Sequence, residues 1–330
     1  MSEPGSHESR VPLPAALRYA EREHSRGVMQ KILIVIDSRE AIGPCLEKAS
    51  RIAASSGSAI ELWARDVEPE FPGSWAGGYR SKEYRKLLRK RRNEEIQDRL
   101  ATLRQHGLDV TVSVEWDLQA TSSLSERVVR SNADLVVCAH PSAISRRAEL
   151  NSSQLELLHN IAAPLLFVTA GSWRDHPVVS AALDPCHSAE RPVLLDRDVY
   201  SRACTLAASL GGRVEVLHVF EGVPHFPGER VSKDEQAVAE SRARQAIADI
   251  LCPQSASPSN VRLMTGRMPG RLLEILRESA PDVLVVGSAA RHRLPHARLG
   301  ATVSEVLGYA SCDVMIVKPP GFVSPLLVRA

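Results

Sequence analysis

The sequence predicts an α/β protein built from two tandem, open, mostly parallel five-stranded sheets with helices on both faces, a Rossmann-like layout. Three observations carry this. Short apolar runs alternate with amphipathic segments of helical period, the pattern of buried parallel strands joined by crossover helices. The alternation runs β-α-β-α-β-α-β-α-β and then repeats. Positions also recur between the two passes: Asp37 matches Asp184, Cys138 matches Gly287, and Asn151 matches Gly300.

In the first pass, the apolar run 32–36 is a strand that ends at Asp37. Ile42, Leu46, Ala49 and Ala53 share one face of the helix that follows. Residues 59–65 form the second strand. Residues 68–79, with Pro, Gly and Trp75, form a loop. A long polar helix over 82–105 stops at Gly107, with Leu87 and Leu88 turned inward. Residues 110–116 alternate as a strand, 124–130 are helical, 135–138 a buried strand, 154–160 a short helix and 165–169 the last strand. The second pass gives strands at 178–183, 213–220, 261–264, 283–286 and 314–317. Its helices fall at 198–210, 232–251, 271–279 and 303–309. The predicted organisation is an arm over 1–29, a first domain over 30–170, a linker over 171–177, a second domain over 178–320 and a tail over 321–330.

Composition narrows the function. The 330 residues are 44% apolar and 24% charged, the balance of a globular protein. A formal net charge of +2 gives no reason to expect a specific nucleic-acid partner. Arg80 to Arg92 holds eight basic residues against Glu83, which reads as the solvated face of the long helix. No apolar run approaches the roughly 20 residues of a membrane helix, so no membrane insertion is expected. The polar start lacks an apolar signal core, which predicts a cytoplasmic protein. None of the six cysteines is spaced as CxxC, and they read as reduced core or helix-face residues.

Ligands of parallel sheets bind beyond the carboxyl ends of the strands. Asp37 and Asp184 stand there, as turn residues or as acceptors for a bound small molecule. Gly287 and Gly300 read as positions for positive φ or close backbone approach. Ala301 and Thr302 open a helix whose N–H groups suit phosphate, and Arg291, Arg293 and Arg298 in the intervening segment add positive charge. Gly266 and Pro269 shape the turn before another helix. There is no G-x-x-x-x-G-K stretch and no GxGxxG in this loop, which sets aside a P-loop ATPase and a nicotinamide cofactor. Cys138, His140 and Asp134 are close in sequence but form no evident relay, so no catalytic residue is assigned. The histidines show no metal-ligand spacing, so no metal site is assigned.

These residues resemble the universal stress protein family, in its tandem two-domain form, over residues 30–319. The nucleotide-binding branch of that family carries Gly-x2-Gly-x9-Gly-Ser/Thr after its fourth strand. Here the matching positions are Gly287, Ala290, Gly300 and Ala301, with Thr302 beside them. The resemblance implies that Asp184 contacts an adenine and that Gly266 to Pro269 stands for the family's Gly-x-Pro with one extra residue. In the first domain Cys138, Pro141 and Asn151 replace the three motif positions. Asn151, Ser152 and Ser153 are expected to cap a helix there, with no phosphate cradle. The family pairs its domains through the fifth strand. This implies an intramolecular pseudo-dimer with 165–169 and 314–317 at its interface, and leaves room for a homodimer. The leading reading is a non-catalytic stress-response protein acting through small-molecule binding or protein contacts. The alternatives are an ATP-binding protein with at most slow hydrolysis, its nucleotide in the second domain, and a scaffold with no ligand.

Overall fold

The structure is a computed structural model that describes residues 29–37, 42–67, 78–117, 124–140, 150–185, 193–220, 222, 232–251, 260–288 and 300–328. The arm (apart from Met29), the segment 68–77, Pro141, Ala290, the basic residues Arg291, Arg293 and Arg298, and Cys186 and Cys252 lie outside these residues.

The elements run β1 (Lys31–Asp37), α1 (Ile42–Ser56), β2 (Ala59–Val67), α2 (Gly78–Gln105), β3 (Val110–Asp117), α3 (Leu124–Ser131), β4 (Leu135–Ala139), α4 (Ser152–Asn160) and β5 (Leu165–Val168). The second pass is β6 (Val178–Ala182), α5 (Val193–Ser209), β7 (Arg213–Phe220), α6 (Lys233–Leu251), β8 (Asn260–Thr265), α7 (Gly270–Ser279), β9 (Val283–Gly287), α8 (Ala301–Tyr309) and β10 (Asp313–Val317), followed by a short α9 (Pro325–Val328).

All ten strands belong to one sheet, in the order β3-β2-β1-β4-β5-β10-β9-β6-β7-β8. Each half is parallel within itself. The halves meet at β5 and β10, which pair antiparallel with Val314 opposite Phe167 and Ile316 opposite Leu165. The strands alternate their side chains between two cores. Ile32, Ile34 and Ile36 face the core shared with α1, α2, α5 and α6. Leu33, Val35, Val136 and Phe167 face the core under α3, α4, α7 and α8. Each such fully buried aliphatic or aromatic side chain contributes about 1.5–3 kcal/mol, and the seam strands are buried on both faces.

A buried ion pair ties the halves together. Lys48 Nζ, on α1, lies 2.8 Å from Asp313 Oδ2, on β10, and both side chains are 1% exposed. Asp313 also accepts from the Thr169 backbone N–H and hydroxyl, each at 2.7 Å, and from Trp173 Nε1 at 2.8 Å. Burial drives the Asp313 carboxyl upward in pKa, and Lys48 and Thr169 oppose it. Trp173 shows that the linker is part of the core, and Arg51 Nη1 donates to its carbonyl at 3.0 Å.

Some boundaries depart from the sequence reading. Helix α2 starts at Gly78, so residues 78 and 79 are helical and not loop. Leu87 is 48% exposed and does not turn inward, and the side chain of Leu88 lies outside the described ones; the buried residues among the described side chains of α2 are Ile96 and Leu100. Helix α5 starts at Val193, and α9 lies in the predicted tail.

Candidate functional site

The strand order reverses between β1 and β4 in the first half and between β6 and β9 in the second. Those switch points leave a crevice at the carboxyl edge. In the second half Asp184 follows β6, whose Ala182 pairs with Val286 of β9, so Asp184 and Gly287 stand at neighbouring strand ends. The Asp184 backbone N–H donates to Asp196 Oδ1 at 3.2 Å. Helix α5 is described from Val193. Asp37 ends β1 at the matching place in the first half.

Gly266 and Pro269 lie apart from this pair. They follow β8 at the edge of the sheet, beyond β7. Gly266 has φ +155, and a Cβ there would meet Arg271 Cγ at 2.7 Å, so only glycine fits. Pro269 is the N-cap of α7, and the Met268–Pro269 peptide is cis.

The expected positive φ at Gly287 and Gly300 is not found. Gly287 is the paired last residue of β9, opposite Val317. Gly300 is the N-cap of α8 at φ −53 and ψ 139. Neither belongs to the glycines with left-handed backbone. Nor does packing among the described residues demand a glycine at 300: a Cβ would meet none of their atoms within 4 Å. Among the described residues no side chain caps α8, which leaves the N–H groups of its first turn without a side-chain acceptor there. This arrangement fits the oxyanion of a nucleotide or another anionic ligand.

The same helix start in the first half is closed. Asn151 is the N-cap of α4, and its side chain accepts from Gln154 N while the Gln154 side chain accepts from Asn151 N, a complete capping box. Gln154 Nε2 also donates to Ala139 O at 3.0 Å, tying α4 to the end of β4. Ser152 is the exposed first residue of α4.

Strand register corrects one correspondence. Val35 pairs with Cys138 and Ala182 pairs with Val286, so Cys138 matches Val286, and Ala139 matches Gly287. His140 then matches Ser288, and both donate their backbone N–H to the fifth strand of their half, at Val168 O and Val317 O. Cys138 faces the α3/α4 core, whereas Asp134 accepts from Gln30 N and Lys31 N at the opposite end of β4. The three residues Cys138, His140 and Asp134 therefore do not converge. His140 is buried, and burial with the nearby Lys48 charge pushes its pKa down to about 4.

Two polar residues at this edge were not singled out from the sequence. Ser288 and Lys318 are buried just past β9 and β10, with Lys318 Nζ 3.4 Å from Ser288 Oγ. A lysine directly after the apolar run 314–317 was the available signal. Among the described residues no group of three His, Cys, Asp or Glu could hold a metal ion, and no helix is long and apolar enough to cross a membrane.

Comparison with known proteins adds the family. Residues 195–318 match the model of the universal stress protein family. Universal stress protein E of Photorhabdus laumondii is 20% identical over 313 residues, covering 90% of this chain and 97% of its own length. Universal stress protein A homolog 1 of Coxiella burnetii is 27% identical over 125 residues, covering 37% of this chain and 86% of its own. A crystal structure of a candidate universal stress protein from Pseudomonas aeruginosa superposes with a TM-score of 0.66 at 22% identity, covering 88% of this chain and 94% of that one. The second half thus matches the universal stress protein family model, and nearly the whole chain is similar to the two-domain universal stress protein E.

Proposed function

We propose that this protein is a non-catalytic stress-response protein of the cytoplasm that acts by binding a small anionic molecule, with ATP as the first candidate, in its second half. The observation that carries this reading is the contrast between the two helix starts. Among the described residues, helix α8 has no side-chain cap and a glycine that neither its backbone angles nor its neighbours require, whereas α4 satisfies its own first turn through Asn151 and Gln154. Free N–H groups at a helix start attract phosphate or carboxylate oxygens, and a capped start has fewer to offer. Asp184, at the neighbouring strand end, supplies an acceptor for a base or hydroxyl of the same ligand. Occupancy at the carboxyl edge of β9 would be felt at the seam, because β9 is hydrogen-bonded to β10.

Titration calorimetry with ATP and Mg²⁺ tests this. Wild-type protein should bind, Gly300→Leu should bind at least about tenfold more weakly, a loss of about 1.4 kcal/mol, and Asn151→Leu should bind as wild type does. Equal losses at both positions would overturn the assignment to the second half. No binding to the wild type would overturn ATP as the ligand and favour the scaffold reading.

A further inference from the structure

We propose that Lys318 and Ser288 form an anion subsite in the second half, taking one phosphate or carboxylate group through an ammonium and a hydroxyl. This rests on the reading that the second half is the ligand-holding one. It names the charge that a ligand must carry and a binding residue outside the glycine-spaced connection.

Among the described residues, Lys318 is a buried cation without a counter-ion. Its Nζ donates to Leu158 O at 2.5 Å and to Ser288 Oγ at 3.4 Å, and it sits 5.2 Å from the centroid of the Phe322 ring. Leu158 is in the last turn of α4, so its carbonyl belongs to the negative end of that helix. A carbonyl, a hydroxyl and a ring face supply partial charges only. An ammonium has three donors, and these contacts use two. The Ser288 hydroxyl accepts from Lys318 and keeps its own hydrogen to give. Two donors, one of them charged, are thus left over at one spot.

The contrast with Lys48 shows what is missing. That lysine is as deeply buried, yet it meets a full carboxylate at Asp313. Bringing an ammonium into the interior costs several kcal/mol unless a formal opposite charge answers it. At Lys318 no described residue does, and burial pushes its pKa down to about 8. Placement supplies the rest. Ser288 starts the connection that ends at Gly300, and Lys318 follows the strand beside it, through the Ser288 N–H bond to Val317 O at 2.8 Å. In the first half the matching positions are His140 and Thr169, and Thr169 is committed to Asp313. A helix cap alone accounts for the contact with Leu158. It leaves the serine contact and the missing counter-charge without a role.

The test is the titration of Lys318 in the full-length protein labelled with ¹³C-lysine, its Cε signal identified by its loss in Lys318→Arg. The signal is followed from roughly pH 6.5 to 10.5 in chloride, inorganic phosphate, acetate or ATP at equal ionic strength. The expected midpoint in chloride is about 8. Inorganic phosphate should raise it by about one unit, equivalent to tenfold tighter binding to the protonated amine. Ser288→Ala, which leaves the Leu158 contact in place, should cut that rise at least by half. A rise with acetate as well as phosphate marks a general oxyanion site, and a rise with phosphate or ATP alone marks a phosphate site. A midpoint unmoved by every anion overturns the subsite, as does a rise that is undiminished in Ser288→Ala. If ATP binds in a Gly300-dependent way while the midpoint stays put, the subsite falls and the proposed function stands. If phosphate moves the midpoint and ATP does not bind, the subsite stands and ATP falls as the ligand.

Discussion

Helices α4 and α8 occupy the same place in the two halves and begin in opposite ways. The first spends Asn151 and Gln154 on its own N-terminus, and the second leaves Gly300 bare. The residues just past the fourth and fifth strands differ in parallel: His140 and Thr169 in the first half, Ser288 and Lys318 in the second. In the first half these groups face inward, with Thr169 bound to Asp313 and His140 held neutral beside Lys48. In the second, a lysine and a serine are buried with donors to spare. Duplication gave two equivalent edges, and the sequence has turned one into a brace and left the other chemically open.

The largest expected effect concerns the brace. Lys48→Met leaves the Asp313 carboxylate buried beside Thr169 and Trp173 without its cation, and should destabilise the protein by about 3–5 kcal/mol in urea unfolding. Lys318→Met removes a cation that has no counter-ion and should cost much less, about 1 kcal/mol. Similar losses at both positions would break the contrast between an answered and an unanswered charge. Adding Asp313→Asn to Lys48→Met should recover part of the loss, since the asparagine can still accept from Thr169 and needs no cation.

Acid should find the first half before the second. The folded-state pKa of His140 is pushed down to about 4 from the ordinary 6.5, so between these values the unfolded chain binds a proton that the folded one refuses. Stability is therefore full above about pH 6.5 and falls as pH drops toward 4, by up to about 3 kcal/mol. His140→Ser, which copies the matching residue of the second half, should flatten that slope in unfolding measurements across this window. An unchanged slope would place the acid-sensitive group elsewhere.

A smaller effect separates the helix starts. Asn151→Ala removes the cap of α4 and should cost about 1 kcal/mol, with faster amide exchange over residues 152–155. Gly300→Ala loses no side-chain cap and meets no described neighbour, so it should cost less than Asn151→Ala by a few tenths of a kcal/mol, the margin by which asparagine outranks glycine as an N-cap. If both variants lose the same stability, the two N-termini do not differ as described.

The fold was legible because its signals are local. Apolar runs such as Ile32–Ile36 and Val283–Val286 have no other explanation than strands covered on both faces, and helix spacing such as Ile42, Leu46, Ala49 and Ala53 survives intact in α1. The register of the repeat was legible to within one residue. Equating Cys138 with Gly287 failed because the segment between the fourth strand and the helix cap is one residue longer in the second half, which only the ladder reveals. Leu87 was misplaced because an apolar residue in a helix reads as buried, while the buried residues among the described side chains of α2 are Ile96 and Leu100. The candidate site was half legible. Glycines and the Asn151 cap announce themselves by type and spacing. Lys48 and Asp313 are 265 residues apart in sequence, and no periodicity links them. Lys318 was visible only as a charge after an apolar strand, and its meaning comes from what does not surround it.

The finest test converts one half into the other. Gly300→Asn gives α8 the residue that caps α4, with an amide oxygen placed to accept from the first turn. Asparagine outranks glycine as an N-cap by only a few tenths of a kcal/mol, so the urea midpoint should rise slightly in the absence of ligand. The same oxygen would occupy the N–H groups that an oxyanion needs, so ATP affinity should fall as the ligand-free protein gains stability. Those two changes have opposite signs and one cause. A variant that gains stability and binds ATP unchanged would show that the first turn of α8 is not where the ligand sits. A variant that loses both would show that Gly300 is needed for a shape its φ and its open surroundings do not reveal.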